Sequence, residues 1–165
     1  MAKSTELGQQ HEAKLPQGTI TYRERGTGEP VLFVHGALVN GDLWRKVVPE
    51  LAKDFRCIAP DLPLGSHERA MPAEADVSPP GVAKLIADFI AELGLDNVTL
   101  VGNDTGGALC QMAVTQRPDR IGRLVLTNCD GFEVFPPKLF DLVFSTAKLP
   151  GGTLVAKGIV TYKLG

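Results

Sequence analysis

Apolar residues recur along this chain in two rhythms, short unbroken runs and stripes repeating every three to four positions. Pro30-Val31-Leu32-Phe33-Val34 is continuously apolar, the mark of a strand covered on both faces, Phe55 to Ala59 reads as the next buried strand, and Val98 to Val101 and Arg123-Leu124-Val125-Leu126-Thr127 read as further strands. Between them lie helical stripes. Leu43, Trp44, Val47, Val48 and Leu51 follow Asp42 as a cap, and Val82, Leu85, Ile86, Phe89, Ile90 and Leu93 follow the start signal Ser78-Pro79 and end at Gly94. A third helix, with Ala108, Leu109, Met112 and Ala113, runs to about Arg117 and stops before Pro118. Gly18 to Arg25 alternates instead, Ile20 and Tyr22 against Thr21 and Arg23, as a half-exposed antiparallel strand does. Strands alternating with helices predict β-α-β units, hence an α/β fold with a mostly parallel sheet flanked by helices. Residues 1–17 read as a frayed or disordered terminus, 18–130 as the core, and Leu64 to Ser78 as a long surface loop. After Asn128 the rhythm changes: Gly131 to Phe140 holds Phe-Pro-Pro, Leu139 to Leu149 is weakly helical, and Pro150-Gly151-Gly152 breaks it.

Composition narrows the function. The 165 residues suit one domain, and a hydrophobic share of 44% against 22% charged residues is that of an ordinary globular protein. The net charge is −2 and no Lys/Arg block stands out, so neither a nucleic-acid nor an anionic membrane surface is expected. The polar start MAKSTELGQQHEAK lacks a signal-peptide apolar region, and no stretch approaches the roughly 20 apolar residues of a membrane span. Cys57, Cys110 and Cys129 cannot all pair within one chain; buried reduced thiols are expected, with a regulatory or catalytic thiol as the alternative, and a reducing cytoplasm follows. Cysteines and histidines show no metal-ligand spacing. Gly26-Thr27-Gly28 is a turn without a following helix, and Gly102 to Gly107 lacks the middle glycine of a dinucleotide fingerprint. No metal and no cofactor are expected.

The chemistry concentrates in Gly102-Asn103-Asp104-Thr105-Gly106. It follows a strand and opens a helix, the setting in which Gly-x-nucleophile-x-Gly forms a nucleophile elbow. So tight a turn needs small residues two positions to either side of its centre. Gly102 and Gly106 satisfy this only for Asp104; centring on Thr105 would put Asn103 and Gly107 at the flanks. A carboxylate is a poor acyl-transfer nucleophile, because its adduct collapses backwards, but a competent one at a saturated carbon bearing a halide or an epoxide oxygen. The alternative reading is a carboxylate capping the helix that begins at Thr105.

Val34-His35-Gly36 after a strand, Trp44 and Pro49 in the next helix, Ala59-Pro60-Asp61 after the next strand, and the elbow together resemble the N-terminal part of an α/β-hydrolase over residues 18–130. With aspartate at the elbow, the chain is similar to the subgroup of haloalkane dehalogenases and epoxide hydrolases. The resemblance implies Asp104 as a nucleophile that forms an alkyl ester with a small haloalkane, epoxide or similar substrate, later split by histidine-activated water. It implies an oxyanion site in which the backbone N–H groups of Ala37, after Gly36, and Thr105 face developing negative charge. His35 is expected to bond nearby backbone rather than act as a base.

The sequence departs from that pattern in three places. Thr105 stands where such enzymes usually carry a halide-binding tryptophan, and Ala37 where many carry asparagine. Asn40, three residues on, is a candidate second donor or simply a turn residue. His11, His35 and His67 all precede Asp104, whereas the superfamily runs nucleophile, acid, histidine. Asp130 is a candidate acid, or a carboxylate capping the loop into the cap. Complete folds of this type need roughly 200–250 residues, so the chain is expected to be truncated before the last strands, 131–165 beginning the cap or lid. Little activity alone, a small-molecule substrate, and self-association through the exposed edge at 123–127 are expected. A non-catalytic binding or sensing member of the same fold is the alternative.

Overall fold

The computed structural model describes residues 5–129. Six strands form one sheet: β1 (Gln9–Leu15), β2 (Gly18–Arg25), β3 (Pro30–Val34), β4 (Arg56–Pro60), β5 (Val98–Asp104) and β6 (Ile121–Cys129), in the order β1-β2-β4-β3-β5-β6. The pairs β1/β2 and β2/β4 are antiparallel; β4/β3, β3/β5 and β5/β6 are parallel. From β3 the chain steps first to β4 on one side and then to β5 on the other. The order therefore reverses at β3, and the crevice beyond the carboxyl ends of β3 and β5 is where open α/β sheets hold ligands.

Alternation along β3 explains the two-faced core. Leu32 and Val34 join one cluster with Ile20, Ile58, Leu100 and the inner faces of α2 (Pro79–Glu92) and α3 (Thr105–Gln116). Val31 and Phe33 join another with Trp44, Val48, Cys57 and Val101. Helix α2 begins as its signal predicts: Ser78 Oγ accepts from the Gly81 N–H at 3.3 Å, two prolines open the first turn, and Gly94 follows with φ +59°.

Two expectations are corrected. The N-terminal stretch is not frayed throughout: Gln9–Leu15 is strand β1, paired with β2 from Gln9↔Glu24 to Leu15↔Gly18, and the 3₁₀ turn before it buries Leu7. Only Ala13 and Leu15 of β1 are buried, so the strand carries little hydrophobic signal and is held by its backbone ladder. The stripe after Asp42 is not one helix. A 3₁₀ turn at Gly41–Trp44 and a single helical turn, α1 (Val48–Leu51), replace it. Pro49 lacks an N–H and its ring collides with the carbonyl four residues back, so it sits only in a first turn. Asn40, not Asp42, caps the 3₁₀ turn. The region 131–165 lies outside the described residues.

Candidate active site

Asp104 ends β5 and caps α3 with φ +53° and ψ −134°, a backbone state that L side chains rarely adopt. No side-chain bond from it caps the helix, which removes the principal reason to treat it as a helix-capping carboxylate. The flanking glycines explain how the strain is held. A Cβ on Gly102 would stand 2.6 Å from Gly107 Cα, and one on Gly106 would stand 2.5 Å from the carbonyl oxygens of both Val34 and His35. Helix α3 therefore presses onto β5 and β3 so closely that only hydrogen fits, and the chain between them has to turn sharply.

Gly36 completes the arrangement. A Cβ there would lie 2.8 Å from Asp104 Cβ and 2.9 Å from its Cγ, and would overlap Oδ2. The carboxyl thus lies against Gly36 at the start of the loop after β3. Thr105 is the first residue of α3, so its N–H is among those a helix leaves without an intrahelical partner. The structure brings Gly36 and Asp104 together, and Ala37 and Thr105 follow each of them in the chain. Asn40 is directed elsewhere: its Oδ1 accepts from the Asp42 N–H at 3.0 Å. Asp130 lies outside the described residues.

The loop after β3 is fixed by residues that do no chemistry. His35 is fully buried; its Nε2 accepts from the Leu62 N–H at 2.9 Å, so Nδ1 carries the proton and donates to the Gly36 carbonyl at 2.8 Å. Burial pushes its pKa down from 6.5, opposed by the Gly36 bond and the Asp61 charge. With both ring nitrogens occupied, His35 is a neutral brace between β3 and the loop after β4. Asp61 Oδ1 accepts from the Gly41 N–H at 2.9 Å. Leu38, at φ +62°, donates its N–H to Leu64 O at 2.8 Å and accepts from Ser66 Oγ at 2.6 Å. The Pro-Asp loop thereby holds the candidate oxyanion loop in shape.

A strand–elbow–helix turn carrying a strained carboxylate, set against a glycine loop at the switch point of the sheet, is a family-level arrangement. A profile of the alpha/beta hydrolase fold matches residues 29–151. The chain belongs to the α/β-hydrolase family. It is 36% identical over 113 residues to haloalkane dehalogenase 2 of Mycobacterium tuberculosis, covering 68% of this chain and 39% of that protein. It is 32% identical over 126 residues to the soluble epoxide hydrolase of Corynebacterium sp. strain C12, covering 76% and 43%. Among solved structures, the epoxide hydrolase CorEH matches with a TM-score of 0.73 at 24% identity, over 93% of this chain and 56% of that one; at such identity the likeness speaks for the fold. The chain spans about two-fifths of the length of these curated relatives.

Two residues beside this candidate site of the α/β-hydrolase chain carry no signal in the sequence analysis. Asn103 lies inside the motif, and its side chain binds the end of β6: Nδ2 donates to Thr127 O at 2.9 Å and to Thr127 Oγ1 at 3.1 Å. Thr127 Oγ1 in turn donates to Gly102 O at 3.2 Å. No pattern in the sequence marks the pair, an amide and a hydroxyl 24 residues apart.

Proposed function

We propose that Asp104 is the nucleophile of an α/β-hydrolase acting on a carbon–halogen bond, an epoxide or a related small electrophile. One observation carries the reading: the aspartate, not Thr105, occupies the strained centre at φ +53°, with its carboxyl over Gly36. In the first step a carboxylate oxygen attacks the saturated carbon. The C–O ester bond forms as halide departs with its electron pair, or as the epoxide oxygen takes the pair and then a proton from solvent water. The N–H groups of Ala37 and Thr105 are the proposed donors to negative charge, with Gly36 allowing the approach. The names of the two curated relatives support this substrate class.

The second step needs a base for water. All three histidines of the sequence precede Asp104, and His35 has both nitrogens engaged with backbone. The 165 residues alone are therefore proposed to form the ester and hold it. Asp130 remains the proposed acid and Asn40 a secondary binding residue, the latter only after giving up its bond to Asp42. The test is a panel of haloalkanes, terminal epoxides and p-nitrophenyl esters. Stoichiometric consumption of the first two, and little of the third, is expected. Sustained cleavage of p-nitrophenyl esters that persists in Asp104→Ala would overturn the assignment, and binding without consumption would favour the non-catalytic alternative.

No described helix is long and apolar enough to cross a membrane. A cytoplasmic setting is proposed from the thiols: the three cysteines are free, Cys57 and Cys110 are buried, and burial pushes Cys57 up to about 11. Self-association is proposed through β6. Leu124, Val125 and Leu126 are 37%, 42% and 41% exposed, and an apolar cavity of about 680 Å³ opens beside the strand between Phe33, Trp44, Val101 and Val125.

A further inference from the structure

The ladder between β5 and β6 shifts register at two places, between Val98 and Thr99 and between Asn103 and Asp104, and the second lies at the elbow. Asn103 pairs with Thr127, but Asp104 pairs with Cys129, so Asn128 is skipped, and Asn128 has φ +41°. That is a β-bulge, which bends a strand and leaves one residue out of the ladder. It sits opposite the peptide where β5 turns into the elbow. Around it the end of β6 presses on α3: a Cβ on Gly107 would overlap Cys129 Cβ and stand 2.9 Å from its Sγ.

Three hydrogen bonds join the strands at this break. Asn103 Nδ2 donates to the Thr127 carbonyl, the last before the bulged residue, and to the Thr127 hydroxyl. That hydroxyl donates to the Gly102 carbonyl, one residue before Asn103. The loop of bonds therefore ties both residues preceding Asp104 to one residue of β6. These side-chain bonds reinforce the last ladder pairs before the bulge, Gly102 with Leu126 and Asn103 with Thr127.

We infer that Asn103 and Thr127 are positioning residues, which hold the end of β6 against the elbow and so fix the direction of the Asp104 carboxylate. The inference rests on Asp104 being the nucleophile. Neither side chain needs to touch the substrate. Their effect is on the fraction of time the attacking oxygen spends in line with the carbon–leaving-group bond, and small displacements of such groups reduce rates steeply. The expected signature is a lower rate constant for ester formation with unchanged affinity for the electrophile.

The experiment follows ester formation on the 165-residue chain with a terminal epoxide in excess, by intact mass against time. It compares wild type with Asn103→Leu, Thr127→Val and Thr127→Ser, at a temperature well below each melting midpoint. Wild type is expected to gain one epoxide mass. Asn103→Leu and the near-isosteric Thr127→Val are expected to reach the same final amplitude with a limiting rate at least ten-fold lower and an unchanged half-saturating concentration. Thr127→Ser, which keeps both roles of the hydroxyl, is expected to stay within about three-fold of wild type. Destabilisation without a positioning role would lower the amplitude and leave the rate constant alone. Limiting rates of Asn103→Leu and Thr127→Val within two-fold of wild type overturn the inference while leaving Asp104 as nucleophile. Absence of any adduct on wild type overturns the nucleophile reading, and the positioning role with it. If Asn103→Leu does not fold, Thr127→Val alone decides.

Discussion

Asp104 holds a backbone conformation worth on the order of 1–3 kcal/mol of strain, at φ +53° and ψ −134°, in a turn whose flanking glycines leave no room for a methyl group. Glycine adopts that state freely, at a cost of roughly 0.5–1 kcal/mol in unfolded-chain entropy. Asp104→Gly is therefore expected to stabilise the protein by about 1 kcal/mol while removing its reactivity, read as a higher urea midpoint; a lower midpoint would contradict the strain. His35 gives a pH dependence of definite sign. Its folded pKa lies below its unfolded value of 6.5, so the unfolded chain binds the extra proton. Stability is complete above pH 6.5 and declines as pH falls from there towards the folded pKa, with a slope approaching about 1.4 kcal/mol per pH unit. Melting curves of His35→Gln are expected to lose that part of the slope between pH 7 and pH 5; an identical slope in both proteins would contradict the buried neutral brace.

At the scale of elements, legibility tracked how much each one buries. Strand β3 reads as a strand because both of its faces are covered, and α2 because cap, proline and stripe agree. Strand β1 buries two of its seven residues, so its sequence resembles a tail although its ladder is continuous. The stripe from Leu43 to Leu51 has helical spacing, yet Pro49 allows only one turn, which a periodicity count does not weigh. Strand β6 extends two residues beyond the predicted 123–127 at each end. The extra residues include the bulge at Asn128, whose existence depends on the elbow beside it and not on its own neighbours in sequence. The spacing of Gly102 and Gly106 located the elbow for a steric reason the structure bears out directly: a methyl group at either would strike backbone. The Asn103–Thr127 bonds were illegible because they join positions 24 residues apart and leave no periodic trace.

Across the whole molecule, the reversal of strand order at β3 puts Gly36 and Asp104 at neighbouring strand ends, so the candidate site is a consequence of topology before it is one of side chains. Among the described residues β6 lies at the edge of the sheet, with Leu124, Val125 and Leu126 each more than a third exposed. Unprotected apolar edges pair with other chains, and an inserted lysine blocks such pairing. Light scattering is expected to give a mass above the monomer that rises with concentration, and Val125→Lys is expected to return it to the monomer; a monomeric wild type at high concentration would contradict the proposed edge pairing. The most direct test of the central claim is peptide mapping after incubation with a terminal epoxide or a haloalkane. A covalent increment confined to Asp104, stable with time and absent from Asp104→Asn, is the expected result. An unmodified Asp104, or an increment on another residue that persists in Asp104→Asn, would contradict it.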